Sequence, residues 1–233
     1  MVADVAERTG EAIDIEVRLP DAAARARAAS RGRKPVAEVD VTLDSGGVCQ
    51  IVVPVRVGRL LQQDSLPLPL DVDDAFDAIH ALEERVCYAM ITEMLSRRDH
   101  AEDELRRKLR QYGFRDQEIA SALERARSHR FVDDARFAAY FIEERIRRGW
   151  GRRKIELELV RKGVSLDEIP GYPDAFFSDD DDLNRARALL ARKTVPRERA
   201  YEKLTRFLVS RGFSYGIATD AVRDLLRADD MGE

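Results

Sequence analysis

The residues best suited to chemistry in this chain are cationic and aromatic. Arg145-Ile146-Arg147-Arg148-Gly149-Trp150-Gly151-Arg152-Arg153-Lys154 sets five arginines, a lysine and an indole within ten positions. Guanidinium forks match carboxylate and phosphate oxygens, and an indole anchors interfaces or stacks on bases. Arg161 and Lys162 extend the run two turns later. The competing reading is a solvated corner in which Trp150 folds over a helix junction as packing. A second tier, Arg106, Arg107 and Arg110, follows the acidic trio Glu102-Asp103-Glu104. That order suits a helix with acids in its first turn and bases later.

Other groupings offer less. Asp133-Asp134 invites a metal or acid–base reading, but with no third ligand nearby it reads as a helix cap. Asp179-Asp180-Asp181-Asp182 points its acids in different directions and is expected to be a solvated linker. His80, His100 and His129 stand apart from each other and from Cys49 and Cys87, so no zinc spacing exists, and neither a metal nor a disulfide is expected. No phosphate loop ending in Lys-Ser or Lys-Thr is present, and no Ser/His/Asp or Cys/His grouping can be argued. The expectation is a protein that is not an enzyme and needs no cofactor.

The elements that must hold these residues repeat. Leu105 and Leu109 lead to Gly113 with Ile119 following; Ile155 and Leu159 lead to Gly163 with Ile169; Leu204 and Leu208 lead to Gly212 with Ile217. An alanine also recurs 24 positions before each glycine, at Ala89, Ala139 and Ala188. One supersecondary unit used three times implies stacked helices. The expected fold is mainly α, three tandem three-helix repeats preceded by a small β-hairpin segment. Its parts are a flexible segment over 1–35, the hairpin and a connector over 36–70, repeats at 71–130, 131–180 and 181–228, and a tail at 229–233.

Within the first part, Ile13, Ile15, Val17 and Leu19 alternate and permit one edge strand. Arg31-Gly32-Arg33-Lys34-Pro35 suits either a short minor-groove arm or a flexible linker. Val39, Val41 and Leu43 predict one arm of the hairpin, Asp44-Ser45-Gly46-Gly47 its turn and Val48–Val53 its return, with Val55 and Val57 extending the sheet. Ile79, Leu82, Val86, Met90 and Met94 recur at three and four, a buried helical stripe with methionine as filler. Phe131 is expected to staple the helix that buries Phe137 and Phe141.

Charge is uneven. Residues 1–84 hold 16 acidic and 9 basic side chains, residues 85–165 hold 14 and 20, and residues 166–233 hold 14 and 11. The positive potential therefore lies on the first two repeats and would draw an acidic partner or a phosphate backbone. With no apolar run of membrane-spanning length and no apolar leader after Met1, a cytoplasmic protein is expected.

Over roughly residues 80–228 the chain resembles the RecX family of bacterial recombination regulators. The match lies in Glu104-Leu105 with Lys108-Leu109 and Gly113, and in Phe131-Val132-Asp133-Asp134 with Phe137-Ala138. It continues in Gly151 with Ile155, Glu158-Leu159 and Lys162-Gly163, and in Phe207-Leu208 with Arg211-Gly212-Phe213-Ser214. Order and spacing together make it specific. The resemblance implies an elongated, curved array, acting as a monomer, that binds the RecA recombinase filament on single- or double-stranded DNA. It also implies inhibition of RecA ATP hydrolysis, strand exchange and the co-protease activity of the SOS response. Trp150 departs from the small residue usual at that corner. Two other classes stay open: a stand-alone DNA-binding protein using the basic corner, and a helical scaffold for another protein.

Overall fold

The computed structural model describes residues 9–230 and divides into two compact units. The first comprises the described residues up to His100 together with Glu104–Val132; the second comprises Ala101–Asp103 and the chain from Asp133 onward.

In the first unit, β1 (Glu11–Arg18), β2 (Val36–Leu43), β3 (Val48–Pro54) and β4 (Leu70–Asp71) form an antiparallel sheet in the order β3-β2-β1-β4. Strand β2 buries Ala37, Val39, Val41 and Leu43 and turns Glu38 and Asp40 to the other face, the period of two expected of a half-covered strand. Strand β1 is not the expected edge. It lies between β2 and the two-residue β4, whose Leu70 pairs with the buried Ala12.

The expected flexible start is also corrected. Besides β1 it holds helix α1 (Ala22–Ser30), whose amide at Ala24 donates to the Asp21 side chain at 2.6 Å. No residue of α1 is buried, so no apolar stripe announces it. Alanine and arginine propensity and the Asp21 cap favour it, and the Lys34 amide, donating to the Gln111 carbonyl at 2.8 Å, ties down the chain just past its end. The expectation for residues 1–8, and for a frayed tail at 231–233, falls outside the described residues.

Helix α2 (Val55–Gln63) replaces the expected extension of the sheet past Pro54. Val57, Gly58 and Leu61 turn inward at helical spacing, and Gly58 lies so close to β2 that a Cβ there would stand 2.6 Å from that of Ala37. Helix α3 (Val72–Leu95) is a single 24-residue rod capped by Asp71, followed by α4 (Glu102–Gln111) and α5 (Asp116–Ser128). Sheet and helices share one core, with Val39, Val53, Leu61, Phe76, Ile79, Leu105, Leu109, Ile119 and Leu123 in contact. Cys87 lies fully inside it, where burial pushes its thiol up to about 12, and both cysteines are free.

The second unit holds α6 (Asp134–Arg147), α7 (Arg152–Lys162), a 3₁₀ turn at Leu166–Glu168, α8 (Asp179–Leu190), α9 (Ala200–Arg211) and α10 (Tyr215–Asp230). The middle repeat thus ends in one 3₁₀ turn in place of a full third helix. Pro170 and Pro173 follow Ile169 closely and stop a helix there. The four aspartates are not a linker. Ser178 caps α8, its hydroxyl accepting from the Asp181 amide, so the acids fill a first turn where the helix dipole favours them. Asp182 is buried and pairs with Arg185. At the start of α6 Val132, and not Phe131, is the buried residue, and Asp133 accepts from the Arg136 amide as expected of a cap. No helix among the described residues is long and apolar enough to cross a membrane.

The three glycines obey one rule. Each ends the middle helix of its repeat at positive φ: +91° at Gly113, +86° at Gly163 and +99° at Gly212. In each the next amide reaches back five residues, Phe114 to Leu109, Val164 to Leu159 and Phe213 to Leu208, at 3.1 to 3.3 Å. This is the Schellman stop, and its hydrophobic member (Phe114, Val164, Phe213) is buried every time. The recurring alanines do not share that role. Ala89 and Ala188 are exposed, and the buried positions are Cys87, Ala138 and Ala186.

Each glycine is also a site of close approach. A Cβ on Gly163 would stand 2.6 Å from Oδ2 of Asp103, in the first turn of α4, and one on Gly212 would stand 2.6 Å from the amide nitrogen of Lys154, in the first turn of α7. Within the second unit the end of α9 therefore abuts the start of α7. At Gly113 the facing atom is Cγ1 of Val36 at 2.5 Å, from the entry to β2.

Candidate functional site

The basic corner lies between α6 and α7, within the second unit. Gly149 at φ +76° lets the chain turn out of α6, and Gly151 starts α7 in extended backbone. Two hydrogen bonds fasten the corner to the end of α9: the Gly151 amide donates to the Arg211 carbonyl at 2.9 Å, and the Arg153 amide to the Gly212 carbonyl at 3.1 Å. Free amides at the head of α7 thus meet free carbonyls at the tail of α9, satisfying both termini and aligning their dipoles.

The side chains of the corner divide by what they touch. Trp150 is half-buried against the α6–α7 core and carries two cations over its ring, the Arg145 guanidinium at 5.0 Å and Lys154 Nζ at 4.1 Å. Arg145 also lies 4.5 Å over Phe141 and pairs with Glu144 at 2.8 Å; only 20% of its side chain is exposed, and Nε is buried without a hydrogen-bond partner. Arg152 bonds Glu156 at 2.8 Å, which raises its pKa, and Glu156 in turn accepts from the Tyr172 hydroxyl at 2.6 Å. Lys162 faces the rings of Phe137 and Phe141 at 5.7 and 5.8 Å.

Outward charge belongs to the remainder. Arg148 and Arg161 are exposed and pair with the half-buried Glu144 and Glu158 respectively. Arg147 and Arg153 are exposed with no ion pair among the described residues. Leu157 and Val160 stand exposed on the same helix as Arg153 and Arg161, four and seven residues after Arg153, and so give that face an apolar strip. The second-tier residues Arg106, Arg107 and Arg110 belong to α4 in the first unit, where Arg110 bonds Asp116 at 2.6 Å.

One grouping was invisible to sequence spacing. His80, Glu83 and Glu118 bring ligand atoms within 4.8 Å of one another between α3 and α5. The cationic position among them is taken by Arg115. Its guanidinium contacts Glu83 at 2.5 Å and Glu118 at 3.5 Å, its Nη1 lies 3.2 Å from His80 Nε2, and its amide donates to Glu83 at 3.1 Å. That places the ring hydrogen of His80 on Nδ1, which donates to Glu118 at 2.7 Å. Burial pushes the Glu83 carboxyl up in spite of Arg115. The grouping is a salt-bridge network that ties two helices of one core.

Comparison with known proteins agrees with this architecture. Family models match twice: RecX, first three-helix domain, over residues 87–125, and RecX, second three-helix domain, over residues 133–169. A relative named regulatory protein RecX from Vibrio vulnificus is 34% identical over 134 residues, spanning 55% of this chain and 86% of that one. One of the same name from Clostridium perfringens is 29% identical over 177 residues, spanning 73% and 82%. Among solved structures, a regulatory protein RecX superposes with a TM-score of 0.56 at 20% identity over 80% of this chain and 94% of the other, which establishes likeness of fold. RecX from Lactobacillus salivarius gives 0.52 at 19%, over 61% and 96%. With the ordered glycine-ended helices, the two matched helical domains and a relative covered over most of its length, the chain belongs to the RecX family.

Proposed function

We propose that this protein is a non-catalytic, monomeric regulator in the cytoplasm that binds the RecA filament on DNA and restrains its ATP hydrolysis, strand exchange and co-protease activity. The observation that carries the reading is the division of labour at the α6–α7 corner. Arg145, Trp150, Arg152, Lys154 and Lys162 build it, and Arg147, Arg148, Arg153 and Arg161 face solvent from it. A fixed basic face beside the apolar Leu157 and Val160 suits a partner that combines acidic protein surface with phosphate. Membership in a family of regulatory proteins agrees with it.

The test is ATP hydrolysis by RecA on single-stranded DNA, titrated with this protein. Inhibition is expected well below one protein per RecA monomer. Arg147→Glu/Arg153→Glu is expected to raise the amount needed by about thirtyfold, since each lost exposed charge pair costs on the order of 1 kcal/mol and every 1.4 kcal/mol is about tenfold, with melting unchanged. No effect of the wild-type protein at equimolar amounts, with filaments formed, overturns the reading.

A further inference from the structure

We infer that the first unit carries a phosphate-backbone site for nucleic acid, in the cleft between α1, the entry to β2 and the end of α4. The cleft has a volume of about 680 Å³, and its walls include six cations, Arg18, Arg27, Arg31, Arg33, Lys34 and Arg110, against two acids. Both acids are engaged: Asp21 caps α1, and Glu38 pairs with Arg18. Arg110 is paired with Asp116. Arg27, Arg31 and Arg33 are exposed with no ion pair among the described residues, and Lys34 lies 5.8 Å over the Tyr112 ring.

This differs from ordinary surface charge in three ways. Residues 25–34 hold five cations and no acid, inside a stretch (1–84) where acids outnumber bases 16 to 9. Helix α1 buries nothing, so the core does not account for it. The cations are also held in place. Gly32 at φ +65° ends α1, the Arg33 amide donates to Ala28 at 3.0 Å, and the Lys34 amide donates to the Gln111 carbonyl at the end of α4 at 2.8 Å. The segment is an ordered turn, neither an extended arm nor a flexible linker.

Dipole compensation is the plain alternative, because α1 and α4 both end here. Each helix terminus amounts to about half a negative charge, so roughly one cation answers both. The cleft leaves four without an acid. Across the Lys34-Pro35 wall a second cleft of about 660 Å³ adds Arg25 and Arg59, so the positive surface continues. Phosphate is the anion that a row of guanidinium forks matches, and a nucleic acid repeats it at regular spacing. An acidic protein would need apolar anchors, and α1 offers it only alanine, arginine and one serine.

This site stands apart from the filament reading and is tested without RecA. Fluorescence anisotropy on a labelled DNA duplex compares the full chain with Arg27→Gln/Arg31→Gln/Arg33→Gln from about 50 to about 200 mM salt. Each lost phosphate contact lowers the slope of log affinity against log salt by about 0.9, so a drop of nearly three is expected, with at least about tenfold weaker binding at low salt. Melting should not change, since α1 contributes nothing to the core. A folded variant with wild-type affinity and slope overturns the site, as does binding lost only in Arg147→Glu/Arg153→Glu measured alongside. Displacement of the duplex by polyglutamate at equal charge overturns it in favour of an acidic protein.

Discussion

Gly151→Ala is expected to lower the melting temperature by about 10 °C. The backbone of Gly151 (φ −84°, ψ 161°) accepts alanine without strain, so the whole cost comes from what the methyl meets. It would stand 2.5 Å from the Gly212 carbonyl oxygen and closer still to the carbonyl carbon of Gly212 and the amide of Phe213. These are backbone atoms that cannot rotate away. Relief requires α7 and α9 to separate, which stretches the hydrogen bonds from Gly151 to Arg211 and from Arg153 to Gly212. Overpacking costs about 1–3 kcal/mol and each hydrogen bond about 1, roughly 4 kcal/mol together. At about 2–4 °C per kcal/mol for a chain of this size, the shift follows. Gly216→Ala is the control. Nothing lies within 4 Å of its Cβ position and it is helical, so a gain of about 0.5 kcal/mol is expected. Calorimetry of the two variants checks both signs, and a Gly151→Ala protein that melts like wild type would refute the junction.

Arg115→Met should be almost as damaging, and its damage should depend on pH. It leaves Glu83, which is fully buried, with no counter-charge and an unanswered carboxylate. Breaking one side of such a pair costs about 3–5 kcal/mol. With Arg115 one-third exposed the lower figure applies, about 3 kcal/mol at neutral pH. The sign of the pH effect follows from Glu83, whose carboxyl is pushed up by burial. A group raised by folding contributes its stability in full below the ordinary glutamate range and loses it as pH rises through the raised value. Removing Arg115 takes away the charge and hydrogen bonds that hold this rise in check. The deficit of the variant should therefore be largest at pH 7 and shrink as the solution is acidified. Urea unfolding at pH 7 and at pH 5 measures it. Glu83→Gln/Arg115→Met should recover most of the loss, since a neutral pair needs no counter-ion. An equal deficit at both pH values would remove Glu83 as the cause.

What the sequence made legible was whatever has a period. Leu105 with Leu109, Ile155 with Leu159 and Leu204 with Leu208 named three buried helix faces, and the glycines after them named three left-handed stops. Helix α1 escaped because it buries nothing. Helix α2 escaped because its inward residues, Val57, Gly58 and Leu61, are too few to outweigh the strand before them. The aspartate run at 179–182 misled because composition says nothing of the Ser178 cap. At the corner, residue type gave the charge but not its use. Only coordinates separate Arg145, spent on Phe141 and Trp150, from Arg147, which faces solvent two residues later. The Glu83–Arg115–Glu118–His80 network joins residues up to 38 apart, beyond any spacing rule.

The contact between Gly113 and Val36 ties the sheet to the helices of the first unit: where α4 ends, the residue facing its glycine belongs to the sheet. The entry to β2 thus closes over the end of α4. A further module inserted ahead of α3 would have to evict the sheet, and the hydrogen bond from Lys34 to Gln111 with it. Insertion ahead of α3 is therefore resisted by the sheet itself, in the manner of a cup glued to its base.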